Sequence, residues 1–300
     1  MSTLENMYIK SFPDRVKNEY NKDQIFTPVH IAKEMVQAVV KQLKPEDWNK
    51  DLKVLDIYCK SGIFLYEFYL ELFTRTKHLH YQDGLTEKEV EQRCREWILN
   101  NQLYGICTDP FLQLISIRTV YGHIPENSNI KYINNFDSLV NNTNSKLFWD
   151  TLKEQFGEET MKKFGVVIGN PPYNKGMDLD FVDKACQLSN NITCMITPAK
   201  WQTTADDYSG CASKNIDYKQ FREKLVPHMN TVCFYPDCRD VFDISQKDGV
   251  TWYIMDKNTY EKIKIINKCK LQKHFNSVTT RKLIERERDY TTSVPRLCIV

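Results

Sequence analysis

The chain has 300 residues, 41% hydrophobic and 12% aromatic, with a formal net charge of only +2. That composition can build a sizeable core, which excludes a disordered chain, and no apolar run approaches the roughly 20 residues of a membrane span. Met1-Ser2-Thr3-Leu4-Glu5-Asn6 has no basic stretch followed by an apolar one, so no secretory signal is read and a cytoplasmic location is expected.

The ten cysteines include no pair at two-residue spacing, and several sit in apolar runs such as Ile192-Thr193-Cys194-Met195-Ile196, the pattern of reduced core thiols. Cys233 and Cys238 form a near pair and the six histidines form no ligand set, so no metal is expected. Charge is unevenly spread. From Lys257 to Arg288, seven lysines and three arginines face three glutamates, leaving a basic tail behind a mildly acidic body. Such a tail suits contact with phosphates, or equally a solvated helix face.

Residues 1 to 22 are polar and partly helical in pattern. Gln24-Ile25-Phe26-Thr27-Pro28 is extended, and Ile31, Met35, Val36, Val39, Val40 and Leu43 then recur at helical spacing. Thr27 and Pro28 are expected as the cap and first turn of that helix, with the threonine hydroxyl free for a ligand carboxylate. Lys53 to Tyr58 reads as a buried strand, Cys59-Lys60-Ser61-Gly62 as a turn, and Ile63 onward as a helix. Strand, glycine turn and helix form the nucleotide-binding arrangement, in which Gly62 admits close backbone approach and Asp56 meets a ligand ammonium or hydroxyl.

A charged helix from about Thr86 to Asn101 leads to a second strand, Leu103-Tyr104-Gly105-Ile106-Cys107, then Asp109-Pro110 and an apolar helix. Where such domains often place a ribose-binding acid, Cys107 stands, with Asp109 two residues later. A third strand, Asn129 to Ile133, runs into Asn134-Asn135-Phe136-Asp137, whose polar groups suit an adenine edge. The fourth, Val166-Val167-Ile168-Gly169, ends in Asn170-Pro171-Pro172-Tyr173. A helix follows from about Asp180, a fifth strand spans Ile192 to Ile196, residues 202 to 215 are a polar loop, and Lys219 to Leu225 is helical. Asn230 to Tyr235 and Gly249 to Met255 are two further strands joined by a loop through Val241 and Phe242. The fold class expected is α/β: a seven-stranded, mostly parallel sheet with an antiparallel edge hairpin.

The turn after the fourth strand carries the chemistry. The Asn170 amide oxygen and the Pro171 carbonyl are two acceptors fixed by a stiff Pro171-Pro172 backbone, and Tyr173 offers a flat face. Together they suit a planar ring bearing an exocyclic amino group. The nitrogen of such a group is a poor nucleophile because its lone pair is delocalised into the ring. Two acceptors on its hydrogens favour a tetrahedral nitrogen and aim the recovered lone pair at an incoming methyl group, without a strong base.

The order Phe26-Thr27-Pro28, Asp56 to Gly62 with Phe64 and Leu65, Asn170-Pro171-Pro172-Tyr173, then Val241-Phe242 resembles the gamma class of DNA adenine-N6 methyltransferases. More narrowly, the Lys60-Ser61-Gly62 turn and the run Asn101-Gln102-Leu103-Tyr104-Gly105 are similar to the Eco57I-like restriction-modification methylases. The match covers roughly residues 22 to 257. The resemblance implies a Rossmann-like class I methyltransferase domain over residues 1–257, with 258–300 a basic linker or the truncated start of a target-recognition domain. It implies S-adenosylmethionine as cofactor. Phe26 and Thr27 would meet its methionine end, Asp56 and the turn through Cys59, Ser61 and Gly62 its amino group and sugar, Cys107 or Asp109 the ribose, and Asn135 or Asp137 the adenine. Asn170 and Pro171 would accept from the target N6, Tyr173 would stack on the flipped adenine of double-stranded DNA, and Phe242 would close its other side.

Most members have glycine at the position of Lys60 and an acid at that of Cys107. The first departure recurs in the close subfamily. The second removes an acceptor worth roughly 1.5–3 kcal/mol, or about tenfold in cofactor affinity. A restriction or specificity subunit is an implied partner, whereas no Pro-Asp followed by acid-x-Lys supports a nuclease in this chain. The alternatives are methylation of a protein glutamine or an RNA adenine, or a non-catalytic DNA-binding remnant.

Overall fold

The computed structural model describes residues 25–203, 215–242, 249–256, 263–268 and 298–299. The N-terminal polar segment expected as helical therefore lies outside the described residues, as do most of the 202–215 loop and of the basic run after Lys257.

In chain order the elements are α1 (Val29–Val40), β1 (Lys53–Asp56), α2 (Ile63–Thr76), α3 (Glu87–Asn101), β2 (Leu103–Cys107), α4 (Pro110–Tyr121) and β3 (Ile130–Tyr132). Three short helices follow, α5 (Phe136–Val140), α6 (Lys146–Phe156) and α7 (Glu158–Met161), then β4 (Phe164–Gly169), α8 (Met177–Leu188), β5 (Ile192–Pro198), α9 (Lys200–Thr203) and α10 (Tyr218–Leu225). The chain closes with β6 (Met229–Tyr235), β7 (Val250–Asp256), β8 (Lys264–Asn267) and β9 (Cys298–Ile299). The sheet order is β3-β2-β1-β4-β5-β7-β6-β8-β9.

Every pairing is parallel except those of β7, which runs antiparallel to both β5 and β6. The α/β class and the seven expected strands are all present. The expected edge hairpin is corrected in one respect: β6 and β7 do pair antiparallel, with Tyr235 opposite Val250, but they do not form the edge. β7 is inserted next to β5, and β8 pairs parallel along the outer side of β6, with β9 beyond it. An apolar, alternating segment with an unpaired ladder is open to a further strand, and Ile263, Ile265 and Ile266 supply one.

The parallel strands are buried on both faces, so their side chains alternate between two cores rather than between core and solvent. Val54, Val166 and Ile168 face the layer of α1 to α4; Leu55 and Val167 face that of α5, α6, α8 and α10. In α3, Val90, Cys94, Ile98 and Leu99 form the buried stripe, and a Thr86–Glu89 capping box fixes its start. Among the described residues no helix is long and apolar enough to cross a membrane. Strand order reverses between β1 and β4. Their carboxyl ends therefore open the crevice in which sheets of this kind hold ligands.

Candidate active site

Asp56 and Ile168 are register partners, and the Ile57 amide donates to the Ile168 carbonyl at 3.0 Å, so the turns after β1 and β4 leave the sheet side by side. Gly169 makes this possible by its size. A Cβ there would meet Ile57 Cγ2 at 3.1 Å and Asp56 Oδ1 at 3.6 Å. The glycine provides room for the neighbouring carboxylate; it is not a left-handed hinge.

Asn170, 2% exposed, lies at the exit of β4. Its Nδ2 donates to Thr27 Oγ1 at 3.0 Å and to the Ile25 carbonyl at 3.2 Å. A backbone carbonyl only accepts, so the nitrogen must face the Ile25–Thr27 strap and the oxygen must face away from it. Oδ1 is buried with no hydrogen-bond partner among the described residues. Buried acceptors are almost always satisfied, which makes this one a ready receiver for an N–H donor. Pro171 and Pro172 are buried beside it.

Tyr173 is partly exposed, and its hydroxyl donates to the Ile196 carbonyl at 3.4 Å. Phe242, 3% exposed, meets Tyr173 edge to face with centroids 6.5 Å apart and planes at 62°. The two rings are thus brought together as expected, but touching. A planar base enters between them only if one ring turns.

The strap differs from the expectation. Pro28, not Thr27, occupies the cap position of α1, and its carbonyl accepts from Ile31 and Ala32. The Thr27 hydroxyl makes no cap bond; it accepts from Asn170.

At the β1 turn, Asp56 is 2% exposed, and burial pushes its carboxyl up to about 7, partly opposed by the Tyr58 amide, which donates to Oδ1 at 3.2 Å. Lys60 is 7% exposed; burial lowers its ammonium to about 7, against the attraction of Asp56 and Asp137. Its Nζ donates to the Ile25 carbonyl at 2.8 Å and stands 5.0 Å from the Tyr58 ring centroid. The Tyr58 hydroxyl reaches Asp137 Oδ2 at 3.5 Å. Asp137 Oδ1 is buried without a hydrogen-bond partner among the described residues, and burial raises this carboxyl too. Asn135 is exposed, at a left-handed φ of 54°, and makes no cap bond.

Four of the expected cofactor residues, Cys59, Gly62, Cys107 and Asp109, contact α4. Cys59 and Cys107 are 1% and 0% exposed, and both thiols point at the Ser116 hydroxyl of α4, at 3.3 and 3.7 Å. Cys107 is therefore a buried thiol turned toward α4. Asp109 caps α4, its Oδ1 accepting from Phe111 and Leu112. The left-handed Gly62, at φ 74°, has its missing Cβ aimed at α4, where it would lie 2.9 Å from the Ser116 carbonyl. The close approach this glycine admits is that of a helix. Ser61 is buried at the same turn.

The residues present suit S-adenosylmethionine at its two ends: a buried carboxyl at Asp56 for the amino group and the open acceptor of Asp137 for the adenine amine. In the middle, where Cys107 or Asp109 was expected to meet the ribose, the thiol points at Ser116 and the carboxylate caps α4. Sequence reasoning passed over Ile25, whose contribution is a backbone carbonyl without side-chain signature, and the tie made by Lys60.

Residues 101–180 match the family model described as Eco57I restriction-modification methylase, a span running from the last residue of α3 through the Asn170–Tyr173 turn into α8. An uncharacterized adenine-specific methylase of Mycoplasma pneumoniae (strain ATCC 29342 / M129 / Subtype 1) is 26% identical over 313 residues, covering 82% of this chain and 69% of the relative. The type I restriction enzyme EcoKI M protein aligns with a TM-score of 0.53 at 14% identity, over 80% of this chain and 45% of that one. The DNA-bound, nuclease-deleted type ISP restriction-modification enzyme LlaGI aligns with a TM-score of 0.55 at 11% identity, over 88% and 29%. The chain thus spans less than half the length of either structure. At these identities the likeness establishes only that the fold is shared with those structures, and the motif-based resemblance to Eco57I-like methylases is borne out by the family model.

Proposed function

We propose that this Eco57I-like chain transfers a methyl group from S-adenosylmethionine to the N6 amino group of adenine in double-stranded DNA, within a restriction-modification system. The observation that carries the reading is the Asn170 carboxamide, with its nitrogen held by Thr27 and Ile25 and its oxygen buried and open. The named relatives, adenine-specific and restriction-modification methylases, support it.

When bound, the cofactor supplies an electrophilic methyl on a positively charged sulfur. The chain does the rest by positioning. Asn170 Oδ1 and the Pro171 carbonyl accept from the two N6 hydrogens and so hold the amine pyramidal, its lone pair directed out of the ring plane. The Asn170 oxygen is oriented before the base arrives by the two bonds on its nitrogen, so that acceptor need not reorient during the reaction. Tyr173 stacks on the extruded adenine, with Phe242 turning to close the other face. Unstacking and unpairing the base costs a few kcal/mol, which this contact offsets. Asp56 receives the cofactor amino group, Asp137 its adenine, and the Phe26–Thr27 strap lies across its methionine end.

In this reading residues 1–257 form the catalytic domain. The basic 258–300 segment leads toward a target-recognition domain or contacts phosphate, a specificity or restriction subunit completes the system, and the enzyme works in the cytoplasm. A tritiated-methyl assay offering DNA, RNA and protein acceptors tests the assignment: label in alkali-stable DNA as N6-methyladenine is expected, and label confined to RNA or protein would overturn it. The core placement of Cys107 favours a second reading, a remnant with little cofactor affinity. A calorimetric dissociation constant worse than millimolar would select it.

A further inference from the structure

We infer that Lys60 is a positioning residue for the methyl-transfer site, holding the Ile25 carbonyl so that the Asn170 carboxamide keeps its oxygen open; the inference rests on the function proposed above. Three observations lead to it. Lys60 Nζ and Asn170 Nδ2 come from different turns, after β1 and β4, yet donate to one acceptor, the Ile25 carbonyl, at 2.8 and 3.2 Å. A carbonyl has two lone pairs, so the lysine fills one and leaves the other for the asparagine. The lysine is also 7% exposed, and burying a charged amine is costly unless it is partnered. Its partners are the carbonyl, the Tyr58 ring and the field of Asp56 and Asp137, and all of them lie at the crevice.

The arrangement links the cofactor side of the crevice to the target side through a single peptide group. Without the lysine, the Ile25 carbonyl would keep, among the described residues, the amide it is meant to orient as its hydrogen-bond donor, while the Ile25 side chain still packs against the core. Asn170 could then turn its nitrogen toward the crevice, where a second donor facing the N6 hydrogens would repel rather than activate them. Arginine at this position keeps a donor and a charge; methionine keeps the length and loses both.

The test compares full-length wild type, Lys60→Met and Lys60→Arg by hydrogen exchange, calorimetry with S-adenosylmethionine, thermal melting and methyl transfer to DNA. For Lys60→Met, exchange across residues 25–31 should accelerate about tenfold or more while the central sheet keeps its protection, as expected for a local opening. The kcat should fall about tenfold to a hundredfold, the loss typical of a misplaced reacting group, with the KM for cofactor moving less than about threefold. Lys60→Arg should recover most of both. Unchanged exchange over residues 25–31 in Lys60→Met would overturn the inference, and so would equal losses in both variants with a lowered melting temperature, the signature of a merely structural lysine. If wild type binds cofactor but labels no DNA, the proposed reaction fails, while the exchange comparison still decides whether the tie exists.

Discussion

Both amide hydrogens of Asn170 are held by the protein itself, which leaves its oxygen as the side chain's reactive end. Asn170→Ala should therefore abolish methyl transfer while calorimetry finds cofactor affinity nearly unchanged; equal loss of both would make the residue structural. Thr27→Val removes one of the two acceptors and should lower kcat about tenfold or more, since an amide donor left unsatisfied is worth about 1–3 kcal/mol. Asp56 titrates in the folded chain near 7 because burial disfavours its charge, so below that pH it no longer offers a carboxylate to the cofactor amino group. S-adenosylmethionine affinity should accordingly weaken as pH falls from about 8 to 6, by up to about tenfold per pH unit for each proton taken up. A flat calorimetric profile would show that Asp56 does not meet the amino group. Cys107→Asp, which the motif pattern alone would suggest as a way to restore ribose binding, should instead destabilise the chain by several kcal/mol, because the side chain is 0% exposed among Cys59, Ser116 and the α2 and α4 packing.

Among the elements, α2 and α4 decide the shape of the first turn. Gly62 begins α2 in the left-handed region, and its hydrogen points at the Ser116 carbonyl. Gly62→Ala should cost at least about 2 kcal/mol in urea unfolding, about 1–2 from the backbone region alone with the backbone contact added. A smaller loss would mean that α4 can withdraw, and with it the two thiols that converge on Ser116. The strap before α1 is a second case. Because Pro28 takes the cap position with its carbonyl, Thr27 stays outside the helix and its hydroxyl is available to Asn170.

At the scale of the whole molecule, three buried ionisable groups set an unusual pH dependence: Asp56 at the end of β1, Lys60 in the turn after it and Asp178 in the first turn of α8. Asp56 and Asp178 are buried carboxyls raised to about 7, so between about pH 4 and 7 the folded chain holds protons that the unfolded chain releases, and stability falls as pH rises. Lys60 is lowered to about 7. From about pH 7 to 10 the unfolded chain holds the extra proton, and stability rises with pH. These groups together should give a minimum in melting temperature near neutral pH, and Lys60→Met should flatten the alkaline side.

Strand positions β1 to β7 and the long helices were legible because each carries its signal locally: apolar runs of strand length, helical spacing, a capping box, a glycine turn. The helices α5 and α7 and strands β8 and β9 were missed because each is too brief to show a period, and β8 becomes a strand only by pairing with β6; α6, 11 residues long, is long enough to show one but buries only Phe148 and Leu152 fully. The motif residues Asp56, Asn170 and Tyr173 were likewise identified from residue type and order, since the chemistry they permit belongs to the side chains themselves. What the sequence could not state is direction and partnership. Whether Cys107 looks into the crevice or into the core, whether the Thr27 hydroxyl caps a helix or orients an amide, and which two donors share the Ile25 carbonyl are settled only when turns far apart in the chain meet at the reversal between β1 and β4. A side chain's chemistry is fixed by its covalent structure, whereas the direction it faces depends on the elements packed around it.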